Sequence, residues 1–456
     1  MPVRITDAIA ATKAARGLYL KSYGCQMNVY DGLRIAELLQ PQGFGLVEDP
    51  AEAELVVLNT CHIREKADDK VFSDIGRIRK ASPNAIIAVG GCTGQALGAK
   101  VMQQAPAVKI VFGPQTTHRL PALLAKVEEG RAQGFEVRAV DTDFPELEKF
   151  DHLPTPGAYG PSAFVTIQEG CDKFCTYCVV PYTRGAEICR PAADILHEIR
   201  QLVTKGVKEV VLLGQNVNAY NHAGITLAAL CAQVATIPEI ARIRFTTSHP
   251  NNTTADLIEA FATNPKLMPY FHLPVQAGSN RTLERMNRNH TVESYLATIA
   301  AVRQVRPDVA ISGDFIVGFP GETEDDFAET LKVAAYVGYF GAYSFAYSPR
   351  PGTPAAELPD HIDEVTKKTR LAALQAVLES TSHTYMQQFV GQTVEVLLEE
   401  RGNQPGQLRG RSAHNVPVNV NMAEAEAVAL MGQLVTVKVT EAAPRSLIGR
   451  LHTSAR

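Results

Sequence analysis

The stretch Cys171-Asp-Lys-Phe-Cys175-Thr-Tyr-Cys178 decides how the middle of this 456-residue chain is interpreted. It follows an apolar run at 163–168, which predicts a β-strand. Three thiolates at these spacings can wrap a 4Fe-4S cluster, and because such a cluster takes four ligands, one iron is left open to a small molecule. A structural zinc site is the alternative, but it needs a fourth cysteine or histidine nearby. Cys189 lies too far along the chain, and His197 falls within a predicted helix.

Apolar runs follow this loop at regular intervals and alternate with helical segments such as 193–204 and 292–305. Repeated strand-helix units predict an incomplete parallel (β/α)6 barrel, with its active site at the carboxyl ends of the strands. The candidate strands are 163–168, 209–213, 243–246, 271–275, 309–317 and 342–347.

The first third of the chain predicts a small parallel α/β domain, because short apolar runs alternate with helical segments. Runs at 18–23, 55–58 and 85–89 are each followed within a few residues by a cysteine, and a fourth run spans 108–112. The carboxyl ends of parallel strands share one edge of a sheet, so these cysteines are expected to converge. We favour a second cluster with an open iron, and buried core cysteines are the alternative. The three cysteines are Cys25, Cys61 and Cys92.

The last part of the chain has a different sequence pattern from the first two parts. After a long helical segment at 364–389, short alternating runs separated by Gly, Asn and Pro predict a small antiparallel β barrel. A segment with Pro and Gly at 153–161 predicts a linker between the first two units. The expected domains are therefore 16–129, 157–389 and 390–454.

Composition excludes several classes of protein. The formal net charge of -4 and the pI near 6.3 exclude a polybasic protein, so nucleic acid would have to bind through a local patch. No stretch approaches the roughly 20 apolar residues that span a bilayer, and the N-terminal segment lacks a signal-peptide core. We therefore expect a cytoplasmic protein without a membrane partner. In that reducing compartment, the 8 cysteines are expected to be metal ligands or catalytic groups rather than disulfides.

The cysteine loop, with Tyr177 before its last cysteine and a barrel after it, resembles that of the radical S-adenosylmethionine (SAM) enzymes. The resemblance implies that SAM chelates the open iron and is cleaved to methionine and a 5′-deoxyadenosyl radical. The protein then supplies geometry and excludes competing reactions. From about 17 to 450, the chain closely resembles the methylthiotransferase branch of this family. The motifs that carry this resemblance lie at 23–28, 58–67, 90–92, 214–220, 247–250, 272–279, 314–323 and 347–354.

Within that branch, the chain is most similar to tRNA methylthiotransferases that convert N6-dimethylallyladenosine, next to the anticodon, to its 2-methylthio derivative. The resemblance implies two SAM molecules per turnover and two 4Fe-4S clusters. It implies the tRNA anticodon stem-loop and an electron donor such as flavodoxin or ferredoxin as partners, and it identifies the C-terminal barrel with RNA-binding TRAM domains. The implied cluster ligands are Cys25, Cys61 and Cys92 for the first cluster and Cys171, Cys175 and Cys178 for the SAM-coordinating cluster, which initiates catalysis.

The remaining candidates for SAM contacts are Tyr177 in the cysteine loop and Gly318 in the segment 314–323, which the resemblance places beside the SAM adenosine. Residues at the carboxyl ends of the second and third predicted strands are candidates for SAM or substrate contacts: Gln215, Asn216, Ser248 and His249. Cys189 and Cys231 are expected to be bystanders.

Three other functions stay open. Two share the chemistry: methylthiolation of N6-threonylcarbamoyladenosine in tRNA, and methylthiolation of an aspartate on a ribosomal protein. The third is a non-catalytic iron-sulfur protein that binds RNA.

Overall fold

The computed structural model shows three units that pack against one another. Residues 63–64 of the motif at 58–67, parts of the expected linker 153–161 and the end of the last expected domain lie outside the described residues. The structure describes residues 15–62, 65–144, 148–152, 154–157 and 160–452.

The N-terminal unit is a parallel sheet with helices on both faces. Its strands are β1 (Arg16–Ser22), β2 (Phe44–Leu46), β3 (Leu55–Thr60), β4 (Ile86–Gly91), β5 (Val108–Phe112) and β6 (Ala139–Asp141). Its helices are α1 (Gln26–Leu39), α2 (Glu65–Ala81), α3 (Cys92–Leu97), α4 (Lys100–Gln104) and α5 (Leu120–Ala132). The spatial order is β2-β1-β3-β4-β5-β6. The direction of winding reverses between β1 and β3, which is where doubly wound sheets bind ligands.

This sheet is larger than the sequence pattern predicts. The pattern misses β2 and β6, because strands of three residues are too short to show a period. β6 pairs with β5, with Ala139 opposite Ile110. The sheet therefore continues past residue 129, the predicted end of the N-terminal domain.

The middle unit is a partial parallel barrel, preceded by the short helix α6 (Glu148–Asp151). Its strands and hairpins are β7 (Ser162–Thr166), β8 (Gln168–Glu169), β9 (Ile188–Cys189), β10 (Glu209–Leu213), β11 (Asn221–His222), β12 (Ile225–Thr226), β13 (Arg242–Thr246), β14 (Tyr270–His272), β15 (Ala310–Val317) and β16 (Gly341–Ala346). Its helices are α7 (Val180–Arg184), α8 (Ala192–Val203), α9 (Leu227–Ala235), α10 (Ala255–Thr263), α11 (Asn280–Arg285), α12 (Val292–Val305) and α13 (Glu324–Val337).

Six parallel strands line this barrel in two sheets, β13-β10-β7 and β14-β15-β16, linked by a β-bridge between Ile243 and Leu267. The predicted partial barrel is thus confirmed. β14 is shorter than predicted, because Pro274 has no N–H to donate to a neighbouring strand.

The inner face of the barrel is covered in part by the N-terminal unit. Along β10, Val210 and Leu212 belong to the main core between strands and helices. The alternate residues Val211 and Leu213 instead pack with Met27 and Tyr30 of α1. Because side chains alternate along a strand, β10 is buried on both faces.

A closed five-stranded barrel ends the chain, in the order β17-β18-β19-β21-β20. The predicted small barrel is confirmed, and its pairs are antiparallel except β19 with β21, which is parallel. Every helix within the described ranges is too short or too polar to traverse a bilayer. The elements are α14 (Glu364–Gln387), β17 (Thr393–Arg401), β18 (Gln407–Ser412), β19 (Pro417–Asn421), α15 (Glu424–Leu430), β20 (Leu434–Ala443) and β21 (Ser446–Leu451).

Two buried arginines of β13 join this small barrel to the larger one. Arg242 donates to the carbonyl oxygens of Arg411 at 2.9 Å and Glu395 at 3.0 Å. Arg244 donates to the carbonyl oxygens of Ser412 and Ala413, each at 2.7 Å. These contacts attach the C-terminal barrel firmly to the middle unit.

Candidate active site

The loop with Cys171, Cys175 and Cys178 follows β8 at the carboxyl-terminal edge of the barrel. Cys171 N–H donates to the Gly185 carbonyl at 3.3 Å, and Cys178 N–H donates to the Cys175 carbonyl at 2.9 Å. Phe174 has a φ of 48°, which is uncommon for a residue other than glycine. The loop thereby folds back on itself, and Cys171 and Cys178 each interact electrostatically with Cys175.

Neighbouring loops hold this segment in place. The Thr176 hydroxyl donates to the Arg285 carbonyl at 2.9 Å. Gln215, a predicted SAM-site residue, accepts the Gly170 N–H at 2.8 Å, immediately before Cys171. Gln215 therefore supports the cysteine loop directly.

A buried guanidinium lies against the same thiols. Arg288 donates to Cys175 Sγ at 3.5 Å and to the Pro274 carbonyl at 2.7 Å. Burial raises the pKa of Cys171 to about 11 and that of Cys178 to about 12. These groups are thiols at neutral pH until they bind metal, which releases their protons.

The three N-terminal cysteines converge at one edge of their sheet. Cys25 precedes α1, Cys61 follows β3 and Cys92 begins α3. Gly24, with a φ of 93°, approaches Cys61 so closely that a Cβ atom there would lie 2.6 Å from Cys61 Sγ. Gly24 directly precedes Cys25, so the loops that carry Cys25 and Cys61 lie in contact, and Cys92 follows the neighbouring strand β4.

Asn28 ties the loops of this trio to one another. Its side-chain amide donates to the Tyr23 carbonyl at 2.7 Å and to the Thr60 carbonyl at 2.9 Å. The Thr93 hydroxyl donates to the Cys61 carbonyl at 3.2 Å. Because Asn28 is fully buried, its loss would leave two backbone carbonyls unpaired away from water.

Neither trio suits a single metal ion. Among the described residues, no three His, Cys, Asp or Glu side chains stand close enough to share one ion. A structural zinc takes four ligands, whereas each trio supplies three thiols. Three thiols are the protein ligands that a 4Fe-4S cluster with one open iron would take.

Two predicted SAM-site residues lie buried at strand ends, Asn216 after β10 and Ser248 after β13. Asn216 Oδ1 and Ser248 Oγ have no hydrogen-bond partner among the described atoms. Thr247 has a φ of 72°, which is strained for a β-branched residue. Buried polar atoms without partners, beside a strained backbone, indicate a place for a ligand.

Tyr177 and Gly318 have explanations within the fold. The Tyr177 ring packs edge-on against Phe319, with centroids 6.5 Å apart. Gly318 has a φ of 70°, its N–H donates to Glu322 Oε2 at 2.8 Å, and a Cβ would collide with Lys367 of α14. Close packing of α14 therefore accounts for glycine at this position, and its contact with SAM stays a prediction.

The two leftover cysteines lie apart in the fold. Cys231 is fully buried in α9, and burial raises its pKa to about 12. Cys189 pairs with Gln168 across the hairpin of β8 and β9. Both positions agree with a structural role.

Comparison with known proteins begins with the fold. The radical S-adenosylmethionine methyltransferase TsrM from Kitasatospora setae aligns over 75% of this chain and 74% of that chain, with a TM-score of 0.55. At 14% identity, this likeness shows the fold alone. Family models match in three places: Uncharacterized protein family UPF0004 at residues 17–113, the Radical SAM superfamily at 165–334 and the TRAM domain at 387–452.

Curated relatives match nearly the whole chain. The tRNA-2-methylthio-N(6)-dimethylallyladenosine synthase of Cereibacter sphaeroides is 52% identical over 439 residues, which cover 95% of this chain and 98% of the relative. That of Novosphingobium aromaticivorans is 52% identical over 453 residues, which cover 98% and 100%. The chain belongs to the tRNA-2-methylthio-N(6)-dimethylallyladenosine synthase family. The predicted cofactors, SAM and 4Fe-4S clusters, agree with membership of a radical SAM family.

The sequence pattern does not reveal two buried residues of this site, Arg288 and His290, which lie beside the predicted candidate His249. The two imidazole rings meet edge-on, with centroids 5.8 Å apart. Burial and the nearby Arg288 charge lower the pKa of His249 to about 2, and the same causes lower that of His290 to about 4. Both rings are therefore neutral at physiological pH. The available signal is the pair Asn287 and Asn289, whose positive φ marks the tight turn that carries Arg288 and His290.

Three arginines of the C-terminal barrel form ion pairs with glutamates of the same barrel. The pairs are Arg401 with Glu424, Arg409 with Glu400 and Arg411 with Glu399. Partly exposed pairs of this kind are worth about 0–1 kcal/mol. Redirecting such an arginine to a phosphate therefore costs little.

Proposed function

We propose that the protein is a tRNA methylthiotransferase that converts N6-dimethylallyladenosine, next to the anticodon, to its 2-methylthio derivative. The observation that carries this proposal is 52% identity, over 95% of the chain, to relatives named for that product. The presence of two separate cysteine trios supports it, because this reaction needs both a radical source and a sulfur donor.

The proposed ligands of the N-terminal cluster are Cys25, Cys61 and Cys92, and those of the SAM-coordinating cluster are Cys171, Cys175 and Cys178. When bound, these groups and SAM supply the radical, the sulfur and the methyl group, chemistry that side chains alone lack. A radical is required because the C2–H bond of adenine offers no acidic proton to a general base.

The side chains around the SAM-coordinating site hold and shield it. Arg288 and the Val180 N–H each donate to a cysteine sulfur at 3.5 Å, which stabilises negative charge on the thiolates. The buried polar atoms of Asn216, Ser248 and His249 are candidates to orient SAM or the target base. Neutral His249 accepts or donates a hydrogen bond without adding charge near the radical.

The RNA substrate would contact two units. The target base must leave the anticodon-loop stack to reach the carboxyl-terminal edge of the barrel. The C-terminal barrel would grip the rest of the anticodon stem-loop by shape and by its arginines. We further propose a cytoplasmic location, where tRNA resides, and reduction by a flavodoxin or ferredoxin.

Mass spectrometry of tRNA nucleosides tests the substrate. A strain without the gene should lose the 2-methylthio derivative and accumulate N6-dimethylallyladenosine, and the wild-type gene should restore the product. If the strain instead lost the methylthio derivative of N6-threonylcarbamoyladenosine or a methylthiolated aspartate of a ribosomal protein, either result would identify a different substrate. Reconstituted protein with full clusters that never forms 5′-deoxyadenosine from SAM would favour a non-catalytic RNA-binding protein.

A further inference from the structure

Four charged side chains form a closed ring where the N-terminal unit meets the barrel. Each comes from a different element: Asp31 from α1, Lys149 from α6, Glu169 from β8 and Arg184 from α7. Their side chains are 3%, 6%, 0% and 2% exposed, respectively. The ring balances two positive against two negative charges, as a buried set of charges must.

Each charge of the ring contacts two of opposite sign. Lys149 Nζ lies 3.0 Å from Asp31 Oδ1 and 2.8 Å from Glu169 Oε2. Arg184 Nη2 lies 2.8 Å from Asp31 Oδ2, and Arg184 Nη1 lies 2.7 Å from Glu169 Oε1. Lys149 and Arg184 therefore play equivalent parts within the ring.

Arg184 makes one contact that Lys149 lacks among the described hydrogen bonds. Its Nη2 also donates to Asn28 Oδ1 at 2.9 Å. Asn28 in turn donates to the carbonyls of Tyr23 and Thr60, next to the loops of Cys25 and Cys61. Asn28 Oδ1 also accepts from Cys25 Sγ at 3.9 Å, so hydrogen bonds connect Arg184 to one thiol of the N-terminal trio and to the backbone beside another.

Arg184 also belongs to the segment that leaves the other trio. It ends α7, which begins two residues after Cys178. Burial opposes its charged form, but Asp31, Cys92, Glu169 and Cys25 together hold its pKa well above the usual value. Arg184 is therefore a permanent positive charge that is one side chain, Asn28, away from Cys25, and it is connected in sequence to the SAM-coordinating loop.

We propose that Arg184 is a positioning residue that fixes the N-terminal cluster relative to the SAM-coordinating loop and stabilises the reduced form of that cluster. Reduction adds negative charge to a cluster, so a buried guanidinium beside its ligands raises the reduction potential. The inference rests on the proposed function in one respect, namely that Cys25, Cys61 and Cys92 hold a cluster.

Two charge-balanced variants test it. Arg184→Met with Asp31→Asn and Lys149→Met with Asp31→Asn each remove one cation and the same carboxylate. Both are made in the full-length chain with Cys171→Ala, Cys175→Ala and Cys178→Ala, so that the N-terminal cysteines alone can hold a cluster. The reduction potential of that cluster is then measured by redox titration followed by electron paramagnetic resonance.

The Arg184 variant should disfavour the reduced cluster at least tenfold, which corresponds to a potential lower by about 59 mV for one electron. The Lys149 variant should change the reduction potential by less than a third of that amount. Equal shifts in the two variants, or none, would overturn the role of Arg184. Absence of any cluster in the parent with intact Arg184 and Lys149 would contradict the proposed function instead.

Arg184→Lys, in the otherwise intact protein, gives a second measurement if a double variant does not fold. It keeps the charge but loses the planar fork that reaches Asp31, Glu169 and Asn28 together. SAM cleavage should stay within twofold of wild type, whereas methylthiolated product per 5′-deoxyadenosine should fall at least fivefold. A ratio equal to that of wild type would contradict a positioning role.

Discussion

The two cysteine trios are built in opposite ways. Cys171, Cys175 and Cys178 share one short loop, whose shape is set by local hydrogen bonds and the unusual backbone of Phe174. Cys25, Cys61 and Cys92 come from three separate strand ends. The first trio is contiguous in one loop, which neighbouring loops support, whereas the second exists only when the sheet is assembled.

The register of the N-terminal sheet is therefore part of its site. Ser22 of β1 lies opposite Asn59 of β3, which lies opposite Gly90 of β4. Each cysteine follows this row within three residues. A slip of one residue would turn the side chains to the other face and separate the thiols.

The largest expected effect is that of Cys175→Ala. Removing this central thiolate should abolish both 5′-deoxyadenosine formation and methylthiolated product, down to the level of a reaction without enzyme. Chromatography with mass detection of both compounds, using reduced, reconstituted protein, measures this. Retention of SAM cleavage would show that the loop is not the radical source.

Cys61→Ala should remove product but leave SAM cleavage in place, because only the N-terminal trio is broken. Iron per protein should fall by about half, since one of two clusters is lost. The same assay and an iron determination test this. Product formation at the wild-type rate, despite the missing iron, would refute a catalytic role of the N-terminal trio.

Gly24→Ala should weaken the N-terminal trio without removing a ligand. The added methyl group would strike Cys61 Sγ, and the φ of 93° is strained for alanine. We expect iron content between those of wild type and Cys61→Ala. Gly43→Ala is the matched control, because Gly43 has a φ of 83° but nothing within 4 Å of the added atom. Equal iron loss in both variants would assign the effect to backbone strain rather than to contact with Cys61.

The smallest effect is expected for Cys189→Ser. This residue pairs with Gln168 in a hairpin and is assigned to neither trio, so iron content and both activities should stay at wild-type values. Stability should change by less than about 1 kcal/mol. A lower iron content than wild type would identify Cys189 as a cluster ligand and would contradict the assignment of three cysteines to each site.

Sequence patterns predict the elements whose signals are local. β5, β10 and α12 have the predicted bounds, because each is a clear apolar or helical run between turn signals. The short β2 and β6 give no period to detect. The parallel pairing of β19 with β21 depends on barrel closure, which no local pattern encodes.

The same division applies to the site. The cysteine loop and the convergence of the N-terminal cysteines follow from spacing and strand ends. Arg184 and Arg288 could not be found in this way, because their partners stand more than 100 residues away in sequence, at Asp31 and Cys175. Such roles depend on how units pack, and a single sequence carries no pattern for that.

The packing of Met27 and Tyr30 of α1 onto Val211 and Leu213 of β10 constrains how this protein can evolve. Here the inner face of the middle-unit barrel is covered by α1 of the N-terminal unit rather than by side chains of the barrel itself. If recombination replaced the N-terminal unit alone, the new α1 and the old β10 would not have complementary side chains. The two units should therefore be inherited as a pair.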